Sequence, residues 1–371
     1  MTLTLLMLGT ANHPHVEHLA LAMQELGHRV VVGGDIEPSL PPSVLPREGL
    51  EVRIAPRAAR RTVTGLASHV RWIRRLLREV RPDVVHAHWI PGFAFFATVA
   101  GAKPLVTMAW GSDVLRADRR RLAAARYTVR RADLVMTDSD SLLARLRELG
   151  APPERTLLIN WGVQLDVFSP PTSSRTAVRT RLGLDEGPTV LSPRSLSEVY
   201  NVPTIVAAFE RLGRDREELR LVIKHMGVGE RELGALAHPE RVRLVGHVPY
   251  ERMADYYRAA DVCVSIASSD SSPRSVWEAM ACGTPLVVSD LPWVHELIEH
   301  GRHALVVPID AEAVAGAVER ILTEPDLAAA LAANGRELVE RHRDRATEMA
   351  RLSDAYVALA RSAQGIGALR A

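Results

Sequence analysis

Residues 268–285 read Ser268-Ser269-Asp270-Ser271-Ser272-Pro273-Arg274-Ser275-Val276-Trp277-Glu278-Ala279-Met280-Ala281-Cys282-Gly283-Thr284-Pro285. The apolar run Val262–Ile266 before them reads as a buried strand, the small polar residues as a loop, and the pattern from Arg274 as a helix. A strand, loop and helix in that order form one unit of a parallel α/β sheet. Its loop amides and helix N-terminus suit an anion such as a diphosphate. Asp270 falls on the loop and Glu278 about a turn into the helix, so both face one side. By itself the stretch reads equally well as an ordinary βα turn with solvated carboxylates.

Working outward, short apolar runs alternate with amphipathic segments along the whole chain, the pattern of repeated βα units. Strands are expected at Leu3–Leu8, Arg29–Gly33, Val84–Ala87, Leu105–Ala109 and Leu134–Thr137, with a helix at His18–Leu26 closed by Gly27. A second series is expected at Thr189–Leu191, Arg220–Lys224, Val242–Val245, Val262–Ile266 and Leu286–Ser289. Between the series lies the aperiodic run Ser169-Pro170-Pro171-Thr172-Ser173-Ser174, which reads as a linker. The expected division is an N-terminal domain over residues 1–168, a linker over 169–175 and a C-terminal domain over 176–343. Residues 344–371 are expected to form a helix returning to the N-terminal domain, frayed from Ala363. One helical stretch is expected from Asp326 to Ala360.

A chain of 371 residues suits two α/β domains, and 47% hydrophobic with 24% charged residues is the composition of a globular protein. No stretch reaches the roughly 18 consecutive apolar residues that span a bilayer, and the start, Met1 to Leu8, lacks the basic region of a signal peptide. Cys263 and Cys282 sit in apolar contexts without metal-site spacing, so both read as small hydrophobes in a reducing compartment. The expected location is cytoplasmic. Of 46 basic residues only Lys103 and Lys224 are lysines. The arginines concentrate in two runs. One holds Arg57, Arg60, Arg61, Arg71, Arg74, Arg75, Arg78 and Arg81; the other holds Arg119, Arg120, Arg121, Arg126, Arg130 and Arg131. Such helices either lie on an anionic membrane or present a solvated face above a buried apolar stripe.

Residues 268–285 resemble the E-x7-E region of the family 4 retaining glycosyltransferases (glycosyl transferases group 1), down to the closing Glu-Ala-Met-Ala-Cys-Gly-Thr-Pro. Other segments resemble the family in the same order: His86-Ala87-His88-Trp89, then Asn160 to Pro170 with Trp161 inserted, Val245-Gly246-His247-Val248, and Ala260-Asp261-Val262. The resemblance runs from residue 1 to about 343. It implies a GT-B fold, two Rossmann-like doubly wound domains facing a central cleft. It also implies transfer from a nucleotide-sugar donor by front-face substitution, in which the leaving diphosphate helps take the acceptor's proton. That chemistry asks the protein for charge stabilisation and positioning.

The matching positions supply candidate roles. Asp270, one methylene shorter than the usual glutamate, takes the place beside the transferred sugar, and Glu278 the place at the donor ribose. Arg194 and the segment Ser271, Ser272, Arg274, Ser275 and Val276 are assigned to the diphosphate, and His247 and Val248 to the base pocket. Asp113 and Trp110 are assigned to the catalytic wall of the N-terminal domain, and His13, His15, His86, His88 and Trp89 to the acceptor. His18 is assigned no site role.

Three departures stand out. In Trp110-Gly111-Ser112-Asp113 a tryptophan replaces the family's histidine, and an indole donates one hydrogen bond but cannot shuttle a proton. No lysine follows Arg194 where the family carries one. Tyr200 and Asn201 stand there with hydrogen bonds alone to offer, and Lys224 is the candidate to supply the charge. The N-terminal glycine-rich loop is reduced to Gly9-Thr10-Ala11-Asn12-His13-Pro14-His15, in which Gly9 permits close approach of a phosphate or sugar and Gly9 and Thr10 are assigned to the donor. No obligatory metal is expected, since Asp138-Ser139-Asp140 reads as a cap for a helix over Leu142–Leu149. The expected partners are a nucleotide-sugar donor and a small-molecule or lipid-linked acceptor, without nucleic acid. A non-catalytic nucleotide-sugar binder and a sugar-nucleotide epimerase or phosphorylase of the same fold stand as alternatives.

Overall fold

The computed structural model describes residues 1–38, 50–56, 63–225 and 236–368. Arg57, Arg60 and Arg61 of the first basic run lie outside them. The chain divides into two units, Met1–Asn160 with Thr347–Ala371, and Trp161–Ala346.

The first unit holds β1 (Thr4–Thr10), β2 (Arg29–Asp35), β3 (Leu50–Ile54), β4 (Val84–His88), β5 (Leu105–Met108), β6 (Leu134–Thr137) and β7 (Thr156–Leu158). They form one parallel sheet in the order β3-β2-β1-β4-β5-β6-β7. Its helices are α1 (Pro14–Glu25), α2 (Val63–Val80), α3 (Phe95–Ala100), α4 (Ser112–Leu115), α5 (Arg119–Val129) and α6 (Asp140–Glu148). The second unit holds β8 (Thr189–Ser192), β9 (Arg220–Lys224), β10 (Val242–Val245), β11 (Val262–Ser265), β12 (Leu286–Ser289) and β13 (Leu305–Val307), ordered β10-β9-β8-β11-β12-β13 and again parallel. Its helices are α7 (Arg175–Leu182), α8 (Val202–Leu212), α9 (Met253–Ala259), α10 (Arg274–Ala281), α11 (Ala311–Thr323) and α12 (Pro325–His342), and α13 (Arg345–Ala368) leads back to the first unit. Both sheets reverse direction once, between β1 and β4 and between β8 and β11. In a doubly wound sheet the crevice for a ligand opens at that point, beyond the strands' carboxyl ends.

Periodicity found the nine central strands and the edge strand β10, and missed β3, β7 and β13 at the other sheet edges. Several boundaries also move. Pro14 opens α1 and His13 caps it, its Nδ1 accepting from the His15 amide at 3.2 Å, so the helix begins four residues before His18 and contains His15. The stretch expected as one helix from Asp326 breaks at Arg343 and Asp344, where Val163 pairs with the chain: its amide donates to Arg343 at 2.7 Å and its carbonyl accepts from Arg345 at 3.1 Å. Helix α13 continues to Ala368, past the expected fraying at Ala363.

The domain boundary moves as well, from residue 168 to 160. Trp161, Val163 and Phe168 are buried in the second unit. Arg258 fixes the segment by donating to the carbonyls of Val167 at 2.6 Å and Ser169 at 2.7 Å, and Arg336 donates to Phe168 at 2.7 Å. The run from Ser169 is therefore a surface connection within the second unit. Helix α13 docks on the first unit through Tyr356, whose hydroxyl meets His86 Nδ1 at 2.5 Å, and Ser353, whose hydroxyl meets His28 Nε2 at 2.7 Å.

Both sheets share one locking device. An aspartate just before a strand accepts the first amide of the neighbouring strand: Asp83 from Thr4 at 2.7 Å, Asp133 from Leu105 at 2.8 Å, and Asp261 from Thr189 at 2.7 Å. In each case the aspartate's own amide donates back to the same residue, at 2.8, 2.9 and 2.9 Å. The sheet end thereby keeps its orphan amides satisfied. Lys103 is absorbed here, donating to Asp133 and the Arg131 carbonyl at 2.8 Å. Asp261 also binds Arg175 and the largely buried Arg179, at the amino end of its sheet. Asp261→Ala is expected to cost about 2–4 kcal/mol by orphaning an amide and a guanidinium. The exposed Asp185→Ala should stay within about 0.5 kcal/mol. Urea unfolding of both variants makes the comparison, and equal midpoints would refute the locking role.

Candidate active site

In the second unit the residues singled out by the sequence converge beyond β8 and β11. Arg194 follows β8, and its Nη2 donates to Asp270 Oδ2 at 2.7 Å while Nη1 donates to Ser275 Oγ at 3.1 Å. Its guanidinium lies 4.0 Å above the Tyr200 ring. Arg274 opens α10 behind Pro273, and no side-chain hydrogen bond caps that helix. Its guanidinium stands 3.4 Å from Glu278 and 4.6 Å above the Tyr250 ring. Glu278 is buried and accepts from the Tyr257 hydroxyl at 3.1 Å. Lys224 ends β9, where burial lowers its pKa and Arg194 adds to the effect, while Glu278 works to raise it. Arg194, Arg274 and Lys224 set against Asp270 and Glu278 leave one net positive charge.

Several expected contacts are already used within the protein. Asp270 is paired with Arg194, and its Oδ1 accepts the Ser271 amide at 3.0 Å. Burial nevertheless raises its pKa above the ordinary carboxylate value, with Arg194 pulling the other way. The Ser272 hydroxyl accepts from Trp277 Nε1 at 2.8 Å, and the Val276 amide turns back to Pro273 at 3.1 Å. Asn201 sits at φ 47° and spends its amide on the carbonyls of Val199 and Ile266, at 3.3 and 3.1 Å. Asn201 thus ties down the loop, while the Tyr200 ring supports Arg194. His247 is exposed and Val248 half-buried after β10, two strands out from β8.

The first unit gathers its own cluster beyond β1, β4 and β5. The rings of His13 and Trp110 stack with centroids 4.4 Å apart, and His15, His88 and Trp89 lie 5.3, 5.4 and 5.8 Å from Trp110. Trp110 Nε1 donates to His88 Nδ1 at 3.3 Å. Burial lowers the pKa of His13 to about 4 and of His86 to about 3. His88 is driven well below its ordinary value by burial, helped by His86 and His13. The cluster expected from the sequence is real, but His86 is fully enclosed, with Tyr356 on its Nδ1, and reaches no acceptor.

Asp113 also has a different place from the one expected. It is buried, and its carboxylate accepts the amides of Trp110 at 2.9 Å and Ile90 at 3.0 Å, joining the loop after β5 to the loop after β4. Burial pushes its pKa up to about 6, against the pull of those backbone hydrogen bonds. Asp113 is thus a clamp on the two loops. The loop it holds contains Trp89 at φ 63°, a strained backbone for a bulky residue. Gly92 makes the conformation possible, since a Cβ there would stand 2.7 Å from the Trp89 ring. Gly9 also has a packing role: a Cβ would meet Val16 at 2.7 Å and His88 at 3.3 Å. Thr10 donates to Asp35 at 3.0 Å.

Sequence reasoning missed Tyr250, Tyr257 and Tyr356, which carry no motif spacing, and Trp277, which lies inside the quoted stretch but reads as an apolar helix position. Their roles come from neighbours far away in the chain.

Residues 12–162 match the family model described as "Glycosyl transferase 4-like domain", and residues 174–338 match "Glycosyl transferases group 1". A D-inositol 3-phosphate glycosyltransferase of Xylanimonas cellulosilytica is 34% identical over 68% of this chain and 67% of its own. One of the same name from Nocardiopsis dassonvillei is 32% identical over 86% and 82%. Among solved structures, sucrose-phosphate synthase from Thermosynechococcus elongatus superposes with a TM-score of 0.78 at 22% identity over 96% of this chain and 98% of that one. Anabaena Alr3699/HepE, solved in complex with UDP-glucose, gives 0.77 at 18% over 96% and 100%. With two Rossmann-like units of the GT-B type, and relatives and family models spanning both, the chain belongs to the group 1, family 4-type glycosyltransferases.

Proposed function

We propose that the protein moves a sugar from a UDP- or GDP-sugar to an acceptor hydroxyl with retention of anomeric configuration, by front-face substitution without an obligatory metal. The observation that carries this reading is the convergence of Arg194, Arg274 and Lys224 with the uncapped start of α10 and the buried Glu278 at the β8/β11 switch point. Positive charge with one surplus unit and an open helix N-terminus suits a leaving diphosphate. Lys224 takes over the part of the lysine missing after Arg194. In the reaction Asp270 gives up its hold on Arg194 to bind sugar hydroxyls, while Glu278 holds the ribose.

UDP-glucose is the first donor to try, because Alr3699/HepE was solved with it. D-inositol 3-phosphate is the first acceptor, from the names of the curated relatives. A second reading, a binder that does not turn over, is favoured by one observation: the Arg194–Asp270 pair neutralises the two side chains that catalysis needs separated.

The arginine faces bear on location, which we place in the cytoplasm with peripheral contact to the inner membrane face. No helix among the described residues is long and apolar enough to cross a membrane. On α2, Val70, Ile73, Leu76 and Val80 are buried against the sheet while Arg71, Arg74, Arg75 and Arg78 are exposed. With its apolar stripe already covered, the helix is left with electrostatic adsorption alone.

Nucleotide release from UDP-, GDP- and ADP-sugars tests the activity. Release is expected from one donor and to be insensitive to EDTA. Asp270→Ala should lower kcat by roughly 100-fold or more with little change in donor KM. Glu278→Ala and Lys224→Met should instead raise donor KM roughly tenfold, the loss of one charged contact. Wild-type kinetics in Asp270→Ala would sink the assignment, and tight donor binding without release, even with acceptor present, would establish the binder. In flotation, co-migration with anionic vesicles is expected at low salt and should be lost by about 0.5 M salt. Failure to float at low salt retires the membrane contact.

A further inference from the structure

Trp110 stands where the family's histidine would, and its indole has a single hydrogen-bonding group, an N–H that only donates. That group points at His88 Nδ1, 3.3 Å away. A nitrogen that accepts a hydrogen bond cannot carry a proton, so the proton of a neutral His88 ring sits on Nε2. His88 is fully buried, whereas Trp110 is half-exposed and stacked on His13. Rings adjoin His88 within the cluster. His86 lies 4.5 Å away on its own strand, His13 and His15 approach Trp110 from the start of α1, and the α13 side chain Tyr356 reaches the cluster through His86. The carboxylate of Asp113 is turned to the loop amides.

From this geometry we infer that His88 is the positioning residue of the acceptor wall, a neutral imidazole fixed in the Nε2–H form that orients Trp110 against His13. The surface it sets is an uncharged aromatic ring pair, suited to the apolar face of a ring-shaped acceptor such as a sugar. His88 takes no proton from the acceptor, because protonating Nδ1 would break the bond that holds Trp110. The inference rests on the proposed function for the meaning of the wall, while the tautomer and the ring orientation stand apart from it.

The test is NMR of the full chain with 15N-labelled histidine and tryptophan, His88 being assigned by its loss in His88→Asn and Trp110 by its loss in Trp110→Phe. In the wild type, His88 is expected to show a protonated Nε2 and an unprotonated Nδ1, unchanged from about pH 8 to about pH 5.5. A proton on Nδ1, or a second proton gained in that range, would overturn the inference. In Trp110→Phe, which keeps a ring against His13 but removes the donor, the His88 nitrogen signals should shift toward a mixture of tautomers; unshifted signals overturn it. The Trp110 indole proton should be slow to exchange in the wild type. It should remain slow in His88→Asn, whose Oδ1 can stand in for Nδ1, and become fast in His88→Leu. Equal exchange in both variants overturns the positioning role. None of these signals needs turnover, so a protein that transfers no sugar would count against the proposed function and leave this result readable.

Discussion

In a parallel sheet, every loop that leaves the carboxyl end must cross to one face or the other. Where the winding changes direction, two neighbouring loops part to opposite faces and leave a gap between them. Each unit has one such gap, between β1 and β4 and between β8 and β11. The residues with chemistry to offer gather at those gaps: Arg194, Asp270 and Ser275 at one, His13, His88 and Trp110 at the other. The opposite ends carry the aspartate locks, which hold the same central strands in register. Stability and chemistry thus occupy opposite ends of the same sheets.

The two gaps have different electrical characters. The one in the second unit is crowded with full charges, three cations and two carboxylates, with Arg194 and Arg274 each resting against an aromatic ring and an opposite charge. Such a site is organised before any ligand arrives, and a diphosphate would replace interactions that already exist. The gap in the first unit is held nearly charge-free, since burial keeps His13 and His86 neutral across the physiological range and His88 further still. The gap in the second unit suits an anionic ligand and the gap in the first an uncharged one.

The sheet centres were legible because a strand buried on both faces is a continuous apolar run, as in Leu5–Leu8 or Val262–Ile266. Edge strands such as β3 and β7 are half-covered and more polar, and the same signal fades there. The stretch 268–285 was legible in both position and kind, since its spacing is local. The partners of its residues were not. That Asp270 would be held by Arg194, or Glu278 by Tyr257, depends on contacts across 76 and 21 residues of sequence. Asp113 misled for a related reason: a carboxylate in a family motif looks chemical until its oxygens are found on backbone amides. The domain boundary moved because Pro and Ser runs mark exposed chain, whereas the division depends on which core buries Val163 and Phe168.

The return of α13 to the first unit has a consequence for the order in which the molecule is made. The ring of His86 and the Nε2 of His28 find their partners in Tyr356 and Ser353, which lie 270 and 325 residues further along the chain. A ribosome delivers the whole second unit before it delivers those partners. The unit translated first is therefore finished only after the second, and two of its imidazoles wait for their partners until then. Helix α13 acts as the closing piece of the first unit.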